Sequence, residues 1–263
     1  MSSMSSLTIT TIQTELKWED KTANLKHFEA KIEALREPTE VVILPEMFST
    51  GFSMQPKRLA ETMDGLTVRW MQEVAARKKI ILTGSVIIEE NGQYFNRMIW
   101  MLPNGQFGYY DKRHRFAYAG EDEQYTAGAK RLVASVKGWR VLLLVCYDLR
   151  FPVWSRQASE QEYDLLLYVA NWPERRSHAW KTLLQARAIE NQCFVAGVNR
   201  IGNDGHDIYH SGDSMIIDPL GATLYHAGAK DETFTLTLGK DELGKVREHF
   251  PFWRDADHFS IEP

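Results

Sequence analysis

The chain has 263 residues, 44% hydrophobic and 25% charged, with a formal net charge of -4. That composition belongs to an ordinary folded domain and excludes a disordered or fibrous chain; the balance of charge points to no nucleic-acid or membrane-surface partner. There are only two cysteines, Cys146 and Cys193. They are too few for a disulfide framework, so a reducing, cytoplasmic setting is expected, and no apolar run approaches the roughly 20 residues of a membrane-spanning helix.

The opening Met1-Ser2-Ser3-Met4-Ser5-Ser6 lacks the basic and apolar parts of a signal peptide. Residues 1–6 read as a disordered N-terminal extension, with Met4 as the expected native start. Leu7–Gln13 reads as a strand, and Asp20–Glu37 as an amphipathic helix with Leu25, Phe28, Ile32 and Leu35 at helical spacing. Val41–Leu44 is a short buried strand, and Gly65–Lys79 a second helix. Ile80–Ile88 is a strand interrupted by Gly84. The turn Asn91-Gly92 joins it to Tyr94–Met101, and Pro103-Asn104-Gly105 joins that strand to Phe107–Lys112. The second half repeats the order. Residues 141–146 form a strand, Val153–Glu162 a helix, Leu165–Ala170 a strand, His178–Asn191 a long helix, and Phe194–Asn199 a strand. Ser214–Asp218 and Thr223–His226 pair around Pro219-Leu220-Gly221, and Phe234–Leu238 is the last clear strand. Alternating strands and helices, with strands apolar on both faces, predict a layered α/β fold, and the late hairpins predict mixed sheets. No linker divides the chain. One domain is expected over 7–240, with 241–263 as an aromatic-rich tail packed on the body or on a second subunit.

Three strand ends carry a reactive side chain. Glu46 follows Val41–Leu44, Lys112 follows Phe107–Asp111, and Cys146 follows Val141–Val145. A thiol needs a base to become a nucleophile, and a carboxylate can serve. A carbonyl under attack gathers negative charge on oxygen, which an ammonium and a backbone N–H can hold. The set suits acyl transfer from an amide or a nitrile. Taken singly, Cys146 is more often a buried apolar residue, and Glu46 or Lys112 a solvated loop charge. A papain-like enzyme would need a Cys–His pair, and no histidine is well placed for it.

The words Leu44-Pro45-Glu46-Met47-Phe48, Tyr110-Asp111-Lys112-Arg113-His114 and Cys146-Tyr147-Asp148-Leu149-Arg150-Phe151-Pro152 occur in that order. Ala186-Arg187-Ala188-Ile189-Glu190-Asn191, Gly212-Asp213-Ser214 and Asp218-Pro219-Leu220-Gly221 follow. Over roughly residues 7–240 the chain resembles the carbon–nitrogen hydrolase (nitrilase) superfamily, and within it the omega-amidase branch. The resemblance implies a four-layer αββα sandwich with Glu46 as general base, Lys112 as the cation on the oxyanion and Cys146 as nucleophile. It implies the Tyr147 backbone N–H as a second oxyanion donor, and a second glutamate between the lysine and the cysteine. Glu121, Asp122 and Glu123 compete for that place, and Glu121, nine residues after Lys112, is taken. The substrates implied are monoamides of short dicarboxylates, 2-oxoglutaramate and 2-oxosuccinamate, with neither cofactor nor metal and with a homodimeric assembly.

Arg150 stands where the branch holds the distal carboxylate; a structural pairing with Asp148 is the alternative. Trp172 is expected as a pocket wall, and Arg176 stands where a smaller hydroxyl residue is usual. That departure leaves open another amidase of the superfamily: a deaminated-glutathione amidase, an N-carbamoyl-amide hydrolase or a nitrilase. A non-catalytic binding subunit would lack Glu46, Lys112 or Cys146. His114, His178, His206 and His210 show no metal-ligand spacing. His206 and His210 could rim the pocket, the alternative being solvated loop residues, and Cys193 reads as structural.

Overall fold

The computed structural model describes residues 6–157, 162–257 and 259–261. β1 (Ser6–Gln13) leads through α1 (Lys21–Glu33) to β2 (Val41–Ile43). A single turn, α2 (Pro56–Leu59), precedes α3 (Leu66–Lys78); β3 (Ile81–Glu90), β4 (Gln93–Met101) and β5 (Phe107–Asp111) follow as a meander. The short α4 (Glu121–Gln124) and β6 (Val133–Val136) lead to the second half. There β7 (Trp139–Val145), α5 (Pro152–Ser155), β8 (Leu165–Ala170), α6 (Ser177–Asn191) and β9 (Phe194–Asn199) alternate. A hairpin of β10 (Ile201–Asn203) and β11 (Tyr209–Ser211) comes next. The pair β12 (Met215–Ile217) and β13 (Thr223–His226), then β14 (Glu232–Gly239) and α7 (Lys240–His249), complete the order.

Two six-stranded sheets result, β14-β1-β2-β3-β4-β5 and β13-β12-β9-β8-β7-β6. Each has a parallel centre, β1-β2-β3 and β7-β8-β9, flanked by antiparallel strands. Period-2 alternation sorts the side chains into layers. Val41 and Ile43 of β2 join the core between the sheets, with Met98 and Leu143. Val42 and the next residue, Leu44, turn instead to Phe28 and Ile32 of α1 and Met71 and Val74 of α3. On the far side Trp180, Leu184 and Ala188 of α6 cover the second sheet. Gly197 of β9 permits that approach, because a Cβ there would lie 2.5 Å from Leu184 Cδ1 and 2.8 Å from Trp180 Cζ2. The layers are helix, sheet, sheet and helix, the αββα sandwich expected.

Several expected boundaries change. α1 ends at Glu33 rather than Glu37, its last turn tightening where the Leu35 N–H donates to Ile32 O at 3.3 Å, and Pro38 disfavours helical backbone at Glu37. The helix expected over Val153–Glu162 is the one turn of α5. Beyond it Gln157 N–H donates to Asn191 Oδ1 at 3.0 Å, so a side chain of α6 captures the backbone that a longer helix would have used. Residues 158–161 lie outside the described residues. Of the expected N-terminal extension, residues 1–5 also lie outside them, but Ser6 is the first residue of β1 and pairs with Gly239. The segment after β14 docks on the body: Leu243 is buried, Gln192 Nε2 donates to Phe250 O at 2.7 Å, and Arg247 Nε donates to Gln192 O at 2.9 Å.

Candidate active site

β2 delivers Glu46. The chain turns sharply after β2, with Met47 at φ 43°, and the Met47 N–H donates to Ser85 Oγ at 2.8 Å. Gly84 beside it leaves room for Leu44, whose Cβ would stand 2.9 Å from a Cβ there. Glu46 is fully buried. Its Oε1 accepts from Lys112 Nζ at 2.9 Å and Asn96 Nδ2 at 2.8 Å, and its Oε2 from the Asn171 N–H at 2.8 Å. Lys112, one residue past β5 and equally buried, also donates to Glu121 at 3.0 and 2.8 Å. Glu121 Oε2 accepts a further bond from the Phe116 N–H at 2.6 Å. Asp122 and Glu123, its competitors for that place, are exposed. A buried ammonium is tolerable only when paired and hydrogen-bonded, as here.

Cys146 follows the last residue of β7 and opens a 3-10 turn, Cys146–Arg150. Its φ is +45°, a backbone state uncommon outside glycine and costly unless the surroundings impose it. Burial and then the Glu46 carboxylate push its thiol well above the ordinary value, while Lys112 pulls it back. Burial disfavours charge on Lys112, but Glu121, Glu46 and Cys146 outweigh it and its pKa rises. Burial raises Glu121 more than the Lys112 ammonium lowers it. The thiol, the ammonium and the two carboxylates therefore form one interacting group, assembled from β2, β5, α4 and β7.

Cys146 lines a cavity of about 260 Å³, together with Tyr147, Arg150, Trp172, Arg175 and Arg176. Arg150 stacks its guanidinium over the Trp172 ring at 4.9 Å. The alternative pairing with Asp148 is not what the structure holds, because Asp148 accepts from Tyr110, His114 and Val145 instead. Arg176 lies over the Phe116 ring at 5.1 Å. Trp172 is fixed by its Nε1 donating to Arg176 O and its N–H to Asn199 Oδ1, both at 2.8 Å.

The structure separates the two loop histidines. His210 is only 2% exposed and lines the cavity, its Nδ1–H donating to Ile208 O at 2.9 Å. Pairing of β10 with β11 turns it inward, which the glycine-rich spelling of the loop hides. His206 stays exposed, as expected of a loop residue, and packs edge-on against Trp18 at 5.4 Å. Sequence reading passed over Asn96, which donates to Glu46 and, at 3.2 Å, to Glu121. An asparagine inside an apolar strand was the available signal, since such a residue needs a buried partner. Phe52, whose ring lies 5.1 Å from Lys112 Nζ, gave no signal.

The carbon–nitrogen hydrolase family model matches residues 8–248, a span that takes in both sheets, the three strand-end groups and Glu121, and the chain belongs to that family of hydrolases. It is 44% identical over 259 residues to the omega-amidase YafV of Escherichia coli (strain K12), covering 98% of this chain and 100% of that one. It is 32% identical over 251 residues to a 2-oxoglutaramate amidase of Bacillus subtilis (strain 168), covering 94% and 96%. A solved carbon–nitrogen hydrolase superfamily protein of Xanthomonas campestris, which carries an arsenic adduct in its active site, superposes with a TM-score of 0.96 at 43% identity. That superposition covers 98% of this chain and 100% of the other.

Proposed function

We propose that this protein is an omega-amidase that hydrolyses the terminal amide of short dicarboxylate monoamides, 2-oxoglutaramate and 2-oxosuccinamate, through a thioester on Cys146. The observation that carries the reading is the cavity. A space of about 260 Å³ matches a small substrate, and Arg150, Arg175 and Arg176 line it together with Cys146. A guanidinium fork suits a carboxylate. The activities of the relatives above agree with this reading.

The charges suggest the order of events. Burial and the neighbouring Glu46 carboxylate push the thiol up more than the Lys112 ammonium pulls it down, so a resting thiolate is disfavoured in this buried site. The thiol keeps its proton until substrate arrives. Glu46 then takes that proton as sulfur attacks the amide carbon, and the charge moves to the substrate oxygen. Lys112 and the Tyr147 N–H hold the oxyanion; Tyr147 is the second residue of the Cys146–Arg150 turn, whose first backbone N–H groups have no partner within the turn. Glu46 returns the proton to nitrogen and ammonia leaves. Water, deprotonated by Glu46, cleaves the thioester, releasing the dicarboxylate and restoring the thiol. Glu121 holds Lys112, and Arg150, with Arg176, takes the distal carboxylate.

The same reading places the protein in the cytoplasm, where its two buried thiols stay reduced, as a homodimer whose catalytic domain spans 7–240 and whose segment 241–263 packs on the body or on the second subunit. The test is ammonia release. Turnover is expected with 2-oxoglutaramate and not with a nitrile or an N-carbamoyl amine, and Cys146→Ala should abolish it with the circular dichroism unchanged. Activity of that variant within tenfold of wild type would remove the nucleophile assignment.

A further inference from the structure

One buried carboxylate beside the reacting groups has no part in the chemistry above. Asp148 is fully buried. Its Oδ2 accepts from the Tyr110 hydroxyl at 2.7 Å and the Val145 N–H at 3.0 Å; its Oδ1 accepts from the His114 N–H at 3.0 Å and His114 Nδ1 at 2.8 Å. Tyr110 and His114 stand on either side of Lys112, while Val145 and Asp148 bracket Cys146. The Tyr110 oxygen also accepts from the Arg113 N–H at 3.1 Å and Trp154 Nε1 at 2.8 Å. The His114 ring stacks on Phe151, with centroids 3.8 Å apart and planes 6° apart. From α6, Arg187 donates to Leu149 O at 2.5 Å and braces the same turn.

A carboxylate that accepts four hydrogen bonds has used its acceptor sites and has nothing left for a ligand. What it joins is informative. Lys112 lies at the end of β5 in one sheet and Cys146 at the end of β7 in the other, so no strand ladder sets their separation. The left-handed backbone at Cys146 must also be imposed by its surroundings. Asp148 meets both demands by binding the Lys112 loop and the Cys146 turn at once.

We propose that Asp148 is a positioning residue that holds the Lys112 loop against the Cys146 turn, a role that rests on the reading of Lys112 and Cys146 as reacting groups. Tyr110 and His114 are its anchors on the lysine side.

Asp148→Asn tests this, since it keeps the shape but turns one acceptor into an NH2 that faces donors. The expected fall in kcat is about 10²-fold, the cost of a small misplacement, with KM changed by less than about threefold because the substrate contacts are untouched. The second measurement needs no substrate: the pH midpoint of Cys146 alkylation by iodoacetamide, read by peptide mass spectrometry. The charged groups facing the thiol are Glu46, Lys112, Glu121 and Arg176. Of the first three, Lys112 favours the thiolate. A displaced Lys112 should therefore move the midpoint upward by about one unit. A fall in kcat with an unmoved midpoint would mark Asp148 as structural only and overturn the proposal, as would wild-type values of both. Tyr110→Phe removes one of the four bonds and keeps the carboxylate. It should shift the midpoint in the same direction by less, and if Asp148→Asn does not fold, an unmoved midpoint in Tyr110→Phe overturns the proposal alone. Turnover by Cys146→Ala would instead sink the nucleophile reading, which the alkylation profile does not depend on.

Discussion

Arg150 shows how one contact changes the meaning of a residue. An arginine two positions from an aspartate invites a structural ion pair, yet Asp148 spends its four bonds on Tyr110, Val145 and His114. Arg150 lies along Trp172 at the cavity wall. A charge-assisted hydrogen bond to a substrate carboxylate is worth roughly 1.5–3 kcal/mol. Arg150→Met should therefore lower kcat/KM on 2-oxoglutaramate by about 10- to 100-fold more than on an uncharged short amide. Equal losses on both substrates, in a folded variant, would move the carboxylate to Arg176.

At the scale of the element, the β10–β11 hairpin is the part of the cavity that sequence reading saw least. Gly202 pairs with His210 across it, and Asp204, Ile208 and His210 all line the cavity. Burial, then Arg200, lowers the His210 pKa to about 4 from 6.5, against the opposing pull of Asp204 and the carbonyls of Ile208 and Gly202. The sign follows from linkage. Between those two values the unfolded chain binds a proton that the folded chain refuses, so stability is full above about pH 6.5 and is lost as the pH falls towards 4. The shift corresponds to about 3 kcal/mol at most. His210→Gln removes this proton uptake, so its melting temperature should fall less than that of wild type between pH 7 and pH 4.5. Parallel falls in the two proteins would show that His210 takes up its proton in the folded state.

For the whole molecule, α5, α6 and the C-terminal segment each leave large apolar residues exposed. Val153 is 53% exposed, Ile189 55%, Phe252 64% and Trp253 44%, and Val153, Glu190 and Phe259 line a common groove. Exposed large apolar side chains beside such a groove are suited to cover by a second copy in a symmetric oligomer. Light scattering at micromolar concentration should therefore give twice the chain mass, and Phe252→Lys combined with Trp253→Lys should shift the protein towards the monomer. A monomeric wild type at that concentration would count against the dimer.

The amino-acid sequence by itself determined the longer strands and their order. A strand covered on both faces has no polar side to interrupt it, so Leu165–Ala170 and Phe194–Asn199 were legible to the residue. The reactive residues at the ends of Val41–Leu44, Phe107–Asp111 and Val141–Val145 stood out for the same reason, as polar side chains where an apolar run stops. Short elements such as β6 and α4 were not legible, because four residues carry too little periodicity. Only the tertiary structure decided which acid meets Lys112, since Glu121, Asp122 and Glu123 are chemically alike in the chain and differ only in which one the turn after Gly120 buries. It alone decided that His210 faces inward, that Asn96 binds Glu46 from 50 positions away, and that Asp148 joins two sheets. Each of these depends on residues distant in sequence sharing one desolvated space, where every polar atom must find a partner that local patterns cannot name.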